Sequence, residues 1–399
     1  MIMAKIALTG GDAVALAMKQ INPDVVAAYP ITPQTVIMEK FAEYVADGAV
    51  DTVLITVESE HSALSACVGA SAAGARVMTA TASQGLALMW EILYIASSLR
   101  LPIVMPVVTR ALSAPINIHC DHSDIMGTRD AGWIILFSKN VQEAYDNTIQ
   151  AVRIAEHPDV SLPVMVGLDG FITSHAMETL EVLDDDAVKK FIGEKRNPKY
   201  SLLATEEPIT IGPLALPDSY FEFKRQQVEA MENALRVIEE VGKEYEKLTG
   251  RSYGFFDAYN VEDADYVVIS VGSTADSITE VVDELRKEGK KVGSIGIRVL
   301  RPFNVKLLLE LLAGKKGVAI LDRSVSFGAH ASGAGPIFME VRSALYDFEE
   351  RPKIVTNYIY GLGGRDILPE HIKHVFNELE RFYSEGKAPA VAGYLGLRE

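Results

Sequence analysis

Short apolar runs alternate with helical patterns along the first part of the chain, and that alternation leaves few architectures open. Val25–Tyr29, Thr52–Val57, Arg76–Ala82, Pro102–Val108 and Pro163–Asp169 are rich in Val, Ile and Ala, as strands buried on both faces are. Between them the spacing predicts helices over Gly11–Gln20, Gln34–Ala46, Glu60–Ala73, Gly85–Arg100 and Val141–His157. Strand and helix in turn imply the α/β class, a mostly parallel sheet covered by helices. From about 176 to 260 the alternation lapses. Asp184, Asp185 and Asp186, with the mixed stretch to Pro217, read as an irregular excursion. Phe221 to Leu248 then reads as a long amphipathic helix, with Val228, Met231, Leu235, Ile238 and Tyr245 on one stripe and Gly250 as its cap. From 261 the alternation returns, with strands at Tyr266–Val271, Val292–Ile297, Val318–Leu321 and Ile354–Tyr358. Helices are expected there at Ala275–Glu288, Val305–Leu312, Gly335–Tyr346 and Glu370–Glu385. The expected organisation is a first domain over 1–260, ending in a helical excursion that bridges domains or subunits, and a smaller α/β domain over 261–399.

A length of 399 residues suits two domains. The formal charge of −16 argues against nucleic acid as a partner, because phosphates call for clustered Lys and Arg. Cys67 and Cys120 are the two cysteines, too few for a disulfide framework or, unaided, for an iron–sulfur cluster or structural zinc. Reduced thiols, the lack of a secretory signal pattern and the lack of a membrane-length apolar run together point to a soluble cytoplasmic protein with no membrane association.

In a parallel sheet, ligands sit beyond the carboxyl ends of the strands. That rule selects Tyr29–Pro33, Glu58–Glu60, Thr81–Gly85 and Thr109–Asp124. In the first, Pro30 and Pro33 fix the backbone around Ile31 and Thr32 and present the threonine at the strand's end. In the second, Glu60 opens a helix whose Ala63, Ala66, Ala70 and Ala73 form a face poor in side chain, where a flat group or another backbone can approach closely. Helix-dipole stabilisation alone would also account for an acid there, while Glu58 is expected to point the other way. Thr81-Ala82-Ser83-Gln84-Gly85 offers hydroxyls and amides to a polar ligand. Arg110, after an otherwise apolar strand, is a natural bidentate clamp for a carboxylate. His119-Cys120-Asp121-His122-Ser123-Asp124 has two histidines three apart among carboxylates, but no distant third ligand. An active-site loop with Asp121 and His122 as hydrogen-bonding groups is expected there rather than a metal. Neither a Gly-x-Gly-x-x-Gly after a strand nor a Walker A pattern occurs.

Four stretches together are specific. Ala28-Tyr29-Pro30-Ile31-Thr32-Pro33, Val57-Glu58-Ser59-Glu60-His61-Ser62-Ala63, Thr79-Ala80-Thr81-Ala82-Ser83-Gln84-Gly85-Leu86 and Arg110-Ala111-Leu112-Ser113-Ala114-Pro115 closely resemble the alpha subunits of pyruvate:ferredoxin oxidoreductases, within the wider 2-oxoacid:ferredoxin oxidoreductase family. Gly361-Leu362-Gly363-Gly364-Arg365-Asp366 fits as well, so the resemblance spans essentially the whole chain. It implies a thiamine-diphosphate-binding domain of the pyrimidine type, followed by a smaller transketolase C-terminal-type domain. Glu60 then matches the glutamate that hydrogen-bonds N1′ of the aminopyrimidine, with Pro30, Ile31, Gln84 and Gly85 also on the cofactor. Thr32 and Arg110 match the residues that hold the 2-oxoacid's carboxylate and carbonyl.

The resemblance also accounts for what the chain lacks. The family binds the diphosphate through Mg2+ on a Gly-Asp-Gly…Asn pattern, and no such pattern or cysteine cluster occurs here. A beta-type subunit is therefore expected to bring the diphosphate site, Mg2+ and a [4Fe–4S] cluster. Gamma- and delta-type subunits would bring coenzyme A contacts and the exit to ferredoxin. The implied reaction is the reversible oxidative decarboxylation of pyruvate with coenzyme A. The same chemistry on a branched-chain 2-oxoacid, 2-oxoglutarate or oxalate is the nearest rival, and a non-catalytic scaffold the remote one.

Overall fold

The computed structural model describes residues 3–194, 201–330 and 333–398. The chain begins with β1 (Ala4–Thr9), which pairs antiparallel with β8 (Met177–Val182) as a two-stranded ribbon. Between them run β2 (Val25–Ala28), β3 (Val53–Thr56), β4 (Val77–Met78), β5 (Ile103–Thr109), β6 (Ile134–Ser138) and β7 (Val164–Asp169). These six lie side by side in the order β3-β2-β4-β5-β7-β6, every pairing parallel. All residues of β5, β6 and β7 are buried, and for β5 and β7 this is the reason the sequence reads as unbroken apolar runs.

A second sheet holds β9 (Phe256–Tyr259), β10 (Tyr266–Val271), β11 (Val292–Ile297), β13 (Gly317–Asp322), β14 (Ile354–Tyr360) and β15 (Val391–Leu395). Its order is β9-β11-β10-β13-β14-β15, and only β9 runs antiparallel to its neighbour. It thus begins a few residues before 261. The remaining strand, β12 (Val299–Arg301), follows β11 after one residue yet pairs antiparallel with β6 as the edge of the first sheet. Arg298 makes the crossing. It is buried, and its guanidinium donates to Asn147 Oδ1 (2.8 Å), Gln150 Oε1 (3.2 Å) and the Gly254 carbonyl (3.0 Å), which ties both halves together at one point.

Helices cover the sheets close to where their sequence spacing puts them, including Gly10–Ile21, Thr35–Ala46, Glu60–Ala72 and Val141–Ala155. The expected helix over Gly85–Arg100 is two, Ser83–Leu88 and Trp90–Ser98, broken at the buried Met89. The excursion is more ordered than its composition suggests, since β8 and a helix at Asp185–Ile192 lie within it. Its long helix runs Tyr220–Thr249, and its buried stripe is Ala230, Ala234, Val237, Ile238, Val241 and Tyr245. Val228 is exposed, so the buried face is rotated from the expected one towards the smaller side chains, which permit close packing on Val141–Ala155. One buried carboxylate fixes that packing. Asp146 accepts from Tyr245 Oη and Tyr253 Oη (both 2.5 Å) and from Arg251 Nε (2.6 Å) and a terminal guanidinium nitrogen (2.8 Å).

Removing a fully paired buried ion leaves its partners uncompensated. Asp146→Ala is therefore expected to cost about 3–5 kcal/mol of stability, read as a lowered midpoint in thermal or denaturant unfolding. A loss below about 1 kcal/mol, the range of a surface pair, would contradict this role for Asp146.

Candidate active site

The carboxyl ends of β3, β2, β4 and β5 lie side by side, so the segments that follow them form one row along the edge of the first sheet. After β3 the chain turns at Ser59, whose hydroxyl caps the next helix by accepting from the Ser62 amide, and Glu60 is the first helical residue. The two nearby acids differ in environment. Glu58 is exposed and accepts from Ser62 Oγ, a bond that holds its carboxyl below the usual range. Glu60 is buried, and no hydrogen bond or ion pair to it is found among the described residues. His61 is half-exposed and sits 3.7 Å from Glu91, an ordinary surface contact.

Gly85 faces Glu60. A Cβ at Gly85 would stand 2.7 Å from Glu60 Oε1 and 2.5 Å from Thr81 Oγ1, so any larger residue would have to displace them. The Thr81 hydroxyl is buried without a hydrogen-bond partner, and so is Gln34 Nε2, whose own oxygen accepts from the Ile31 amide at 3.2 Å. The row therefore holds a buried carboxylate, hydroxyl and amide nitrogen with no partner among the described residues. Such groups are costly unless something else satisfies them.

Arg110 and Thr32 are brought together. A terminal nitrogen of Arg110 donates to the Thr32 carbonyl at 3.0 Å and Nε donates to the Asn117 carbonyl at 2.9 Å, leaving the second terminal nitrogen with no hydrogen bond among the described residues. Thr32 and Pro30 are exposed, Ile31 and Gln84 half-buried, and Arg110 and Gly85 buried.

The loop after Arg110 serves a purpose that its residue types do not reveal: it docks on the second domain. Asn117 Nδ2 donates to the Gly363 carbonyl (3.0 Å), and Asp121 Oδ2 accepts from the Gly363 amide (3.3 Å). At Gly364, where φ is +82°, a Cβ would come within 2.3 Å of His119 Cβ, which explains a glycine in that turn. His122 is buried with Nε2 2.8 Å from Asp169 Oδ1, at the end of β7. From the second domain, Arg323 (3.1 Å) and Ser273 Oγ (2.6 Å) reach Asp169 Oδ2. Burial would raise the Asp169 carboxyl, but the His122 ring and the Arg323 guanidinium outweigh it and hold the group well below the usual carboxylate range. Ligand atoms of Cys120, His122 and Asp169 lie within 4.8 Å of one another, near enough for a metal. The Arg323 guanidinium, 3.6 Å from Cys120 Sγ, already fills the cationic position, and burial pushes the thiol well up, away from the thiolate a metal needs. Asp124 closes the same loop. It links the turns after β4 and β5 through their backbone amides, a connection with no sequence signal.

Residues 16–243 match the family described as pyruvate flavodoxin/ferredoxin oxidoreductase, thiamine diP-binding, and residues 264–372 match pyruvate:ferredoxin oxidoreductase core domain II. Pyruvate synthase subunit PorA of Thermotoga maritima is 59% identical over 398 residues, covering 100% of this chain and 99% of the relative. The subunit of the same name from Methanocaldococcus jannaschii is 49% identical over 394 residues, with 98% of each covered. Ketoisovalerate oxidoreductase subunit VorA of Pyrococcus horikoshii is 44% identical over 381 residues, with 95% of each covered. Among solved structures, a 2-oxoglutarate:ferredoxin oxidoreductase from Magnetococcus marinus shares the fold at a TM-score of 0.71 and 23% identity; it covers 94% of this chain, which spans 65% of that longer one. Two domains of this family in this order, and relatives matched from end to end, lead to one conclusion: the chain belongs to the pyruvate:ferredoxin oxidoreductase family.

Proposed function

We propose that this chain is the alpha subunit of a pyruvate:ferredoxin oxidoreductase, a pyruvate synthase. The assembled enzyme converts pyruvate and coenzyme A reversibly to acetyl-CoA and CO2 and passes the electron pair to ferredoxin. The observation that carries the reading is Glu60: a buried carboxylate without a partner in the described chain, set against a glycine with no room for a Cβ. Thr81 Oγ1 and Gln34 Nε2, buried and unengaged in the same row, suit a flat heterocycle with both donors and acceptors. Glu60, Gly85, Gln84, Pro30 and Ile31 would hold the aminopyrimidine of thiamine diphosphate.

When bound, that cofactor supplies the nucleophilic carbon and the electron sink for decarboxylation. Glu60 would hold the cofactor's ring nitrogen N1′ by a hydrogen bond from its carboxyl group. Gly85 permits the close approach. Arg110 orients pyruvate through its carboxylate, using the terminal nitrogen that the protein leaves free, while Thr32 faces the same substrate. Asp121 and His122 act by docking the loop beneath Arg110 on the second domain.

The site is half of one. Nothing in the sequence offers the Gly-Asp-Gly…Asn pattern for a magnesium diphosphate, and Cys67 and Cys120 are both buried. The helices after Gly85 expose Leu88, Trp90, Tyr94 and Ile95, an apolar surface suited to a subunit interface. A beta-type subunit would bring Mg2+, the diphosphate site and a [4Fe–4S] cluster, and gamma- and delta-type subunits the coenzyme A contacts and ferredoxin docking. No helix among the described residues is long and apolar enough to cross a membrane. Pyruvate is favoured over 2-oxoisovalerate because the named pyruvate relative matches at 59% and the ketoisovalerate one at 44%.

Replacing Glu60 by Gln preserves its shape and removes its proton chemistry. In the assembled complex, Glu60→Gln is expected to lower pyruvate-dependent viologen reduction by roughly a hundredfold or more, with subunit assembly intact. Near-normal turnover would instead make the chain a scaffold. Across pyruvate, 2-oxoisovalerate and 2-oxoglutarate, the wild-type complex is expected to show its highest kcat/KM with pyruvate, since one free guanidinium arm suits a monocarboxylate. A preference for 2-oxoglutarate would contradict that pocket.

A further inference from the structure

Asp124 is buried in the short helix Ser123–Gly127, and its carboxylate meets backbone amides alone. Oδ2 accepts from Ser83 N (2.9 Å) and from Arg110 N (3.0 Å), and Oδ1 accepts from Ile125 N (2.7 Å). Ser83 opens the turn that carries Gln84 and Gly85 after β4; Arg110 opens the loop after β5. A single oxygen atom therefore fixes the spacing between two turns on neighbouring strands. Burial pushes the Asp124 carboxyl up to about 7 despite these bonds. Adjacent groups reinforce the same stitch: Ser83 Oγ donates to the Ala111 carbonyl (2.7 Å), and Leu112 N donates to Ser123 Oγ (3.0 Å). Ser83 has φ +48°, a left-handed conformation that is unfavourable for a serine and persists only where neighbours enforce it. From the other side, the His122 amide donates to the Arg323 carbonyl (2.8 Å), so the second domain anchors the loop that carries Asp124.

We propose that Asp124 is a positioning residue of this active site, which through the Ser83 and Arg110 amides sets the Arg110 guanidinium in register with the Gln84–Gly85 wall. The proposal rests on the assignment of Arg110 to substrate and Gly85 to cofactor. Asp124 touches neither ligand; it fixes the distance between the two groups that do. Misplacement of a positioned group by about 1 Å can cost up to a hundredfold in rate, so the effect of losing the stitch is visible in steady-state kinetics.

The test compares Asp124→Ala, Asp124→Asn and Arg110→Lys in the assembled complex, with pyruvate saturation curves and thermal midpoints for each. Asp124→Ala is expected to raise KM for pyruvate about tenfold with assembly retained. Asp124→Asn recovers most of the loss, because its amide oxygen still accepts from both N–H groups. If the alanine variant does not assemble, Asp124→Ser, too short to span both amides, takes its place in the same comparison. An unchanged pyruvate KM in that variant, with or without a fall in thermal midpoint, overturns the positioning role provided Arg110→Lys does raise KM. Should Arg110→Lys also leave KM unchanged, the assignment of Arg110 to substrate fails, and the role of Asp124 falls with it.

Discussion

The fold and the site both depend on one buried carboxylate, Asp169, at the end of β7. It is enclosed by His122 from its own domain and by Arg323 and Ser273 from the second, with the Ser273 amide adding a bond at 3.0 Å. An isolated ion at such depth would be prohibitive, and its pairing must be complete for the arrangement to be tolerated. Gly272 is required by that pairing. Its φ is +72°, and a Cβ there would lie 2.7 Å from Asp169 Oδ1. The grip holds the second sheet against the first at the carboxyl ends of the strands, where ligands bind. It also holds the loop from Asn117 to Asp124, and through it Arg110.

Much of this was legible in the sequence where the signal is local. Tyr266–Val271 and Val292–Ile297 are strands at their expected bounds, because short β-branched runs between turn signals depend little on context. Glu60 falls at a helix start because Ser59 caps it and small residues follow. What escaped is non-local. The strand Val299–Arg301 has no local signal of its own: the chain passes from the second sheet to the first at Arg298, and the distant partners Asn147 and Gln150 fix that crossing. β6, over Ile134–Ser138, is a strand that the sequence reading leaves unassigned, although it is buried throughout like its neighbours. β1 and β8 find each other across most of the first domain, a pairing that no window of sequence contains. The loop over His119–Asp124 has the composition of a metal site, and its actual role in docking the domains depends on Arg323 and Gly363, far away in the chain.

The site follows from the same physics. Parallel strand order places four turns in a row, and each turn contributes one kind of group: a threonine carbonyl held by arginine, a carboxylate at a helix start, a glycine without room for a side chain, and a guanidinium with one free arm. The Glu60 carboxylate, the Thr81 hydroxyl and Gln34 Nε2 have no hydrogen-bond partner among the described residues, and in a protein interior such groups are kept for something. The matching family is described as binding thiamine diphosphate, and the residues beyond Gly85 leave an apolar surface exposed beside these groups.

The central claim is that this chain holds half an active site. It is tested most directly by assaying pyruvate-dependent viologen reduction, with thiamine diphosphate, Mg2+ and coenzyme A present, first on the purified chain and then after recombination with the subunit bearing the diphosphate motif and cluster cysteines. No turnover by the chain alone and its appearance on recombination is the predicted result. Viologen reduction by the chain alone would contradict the account.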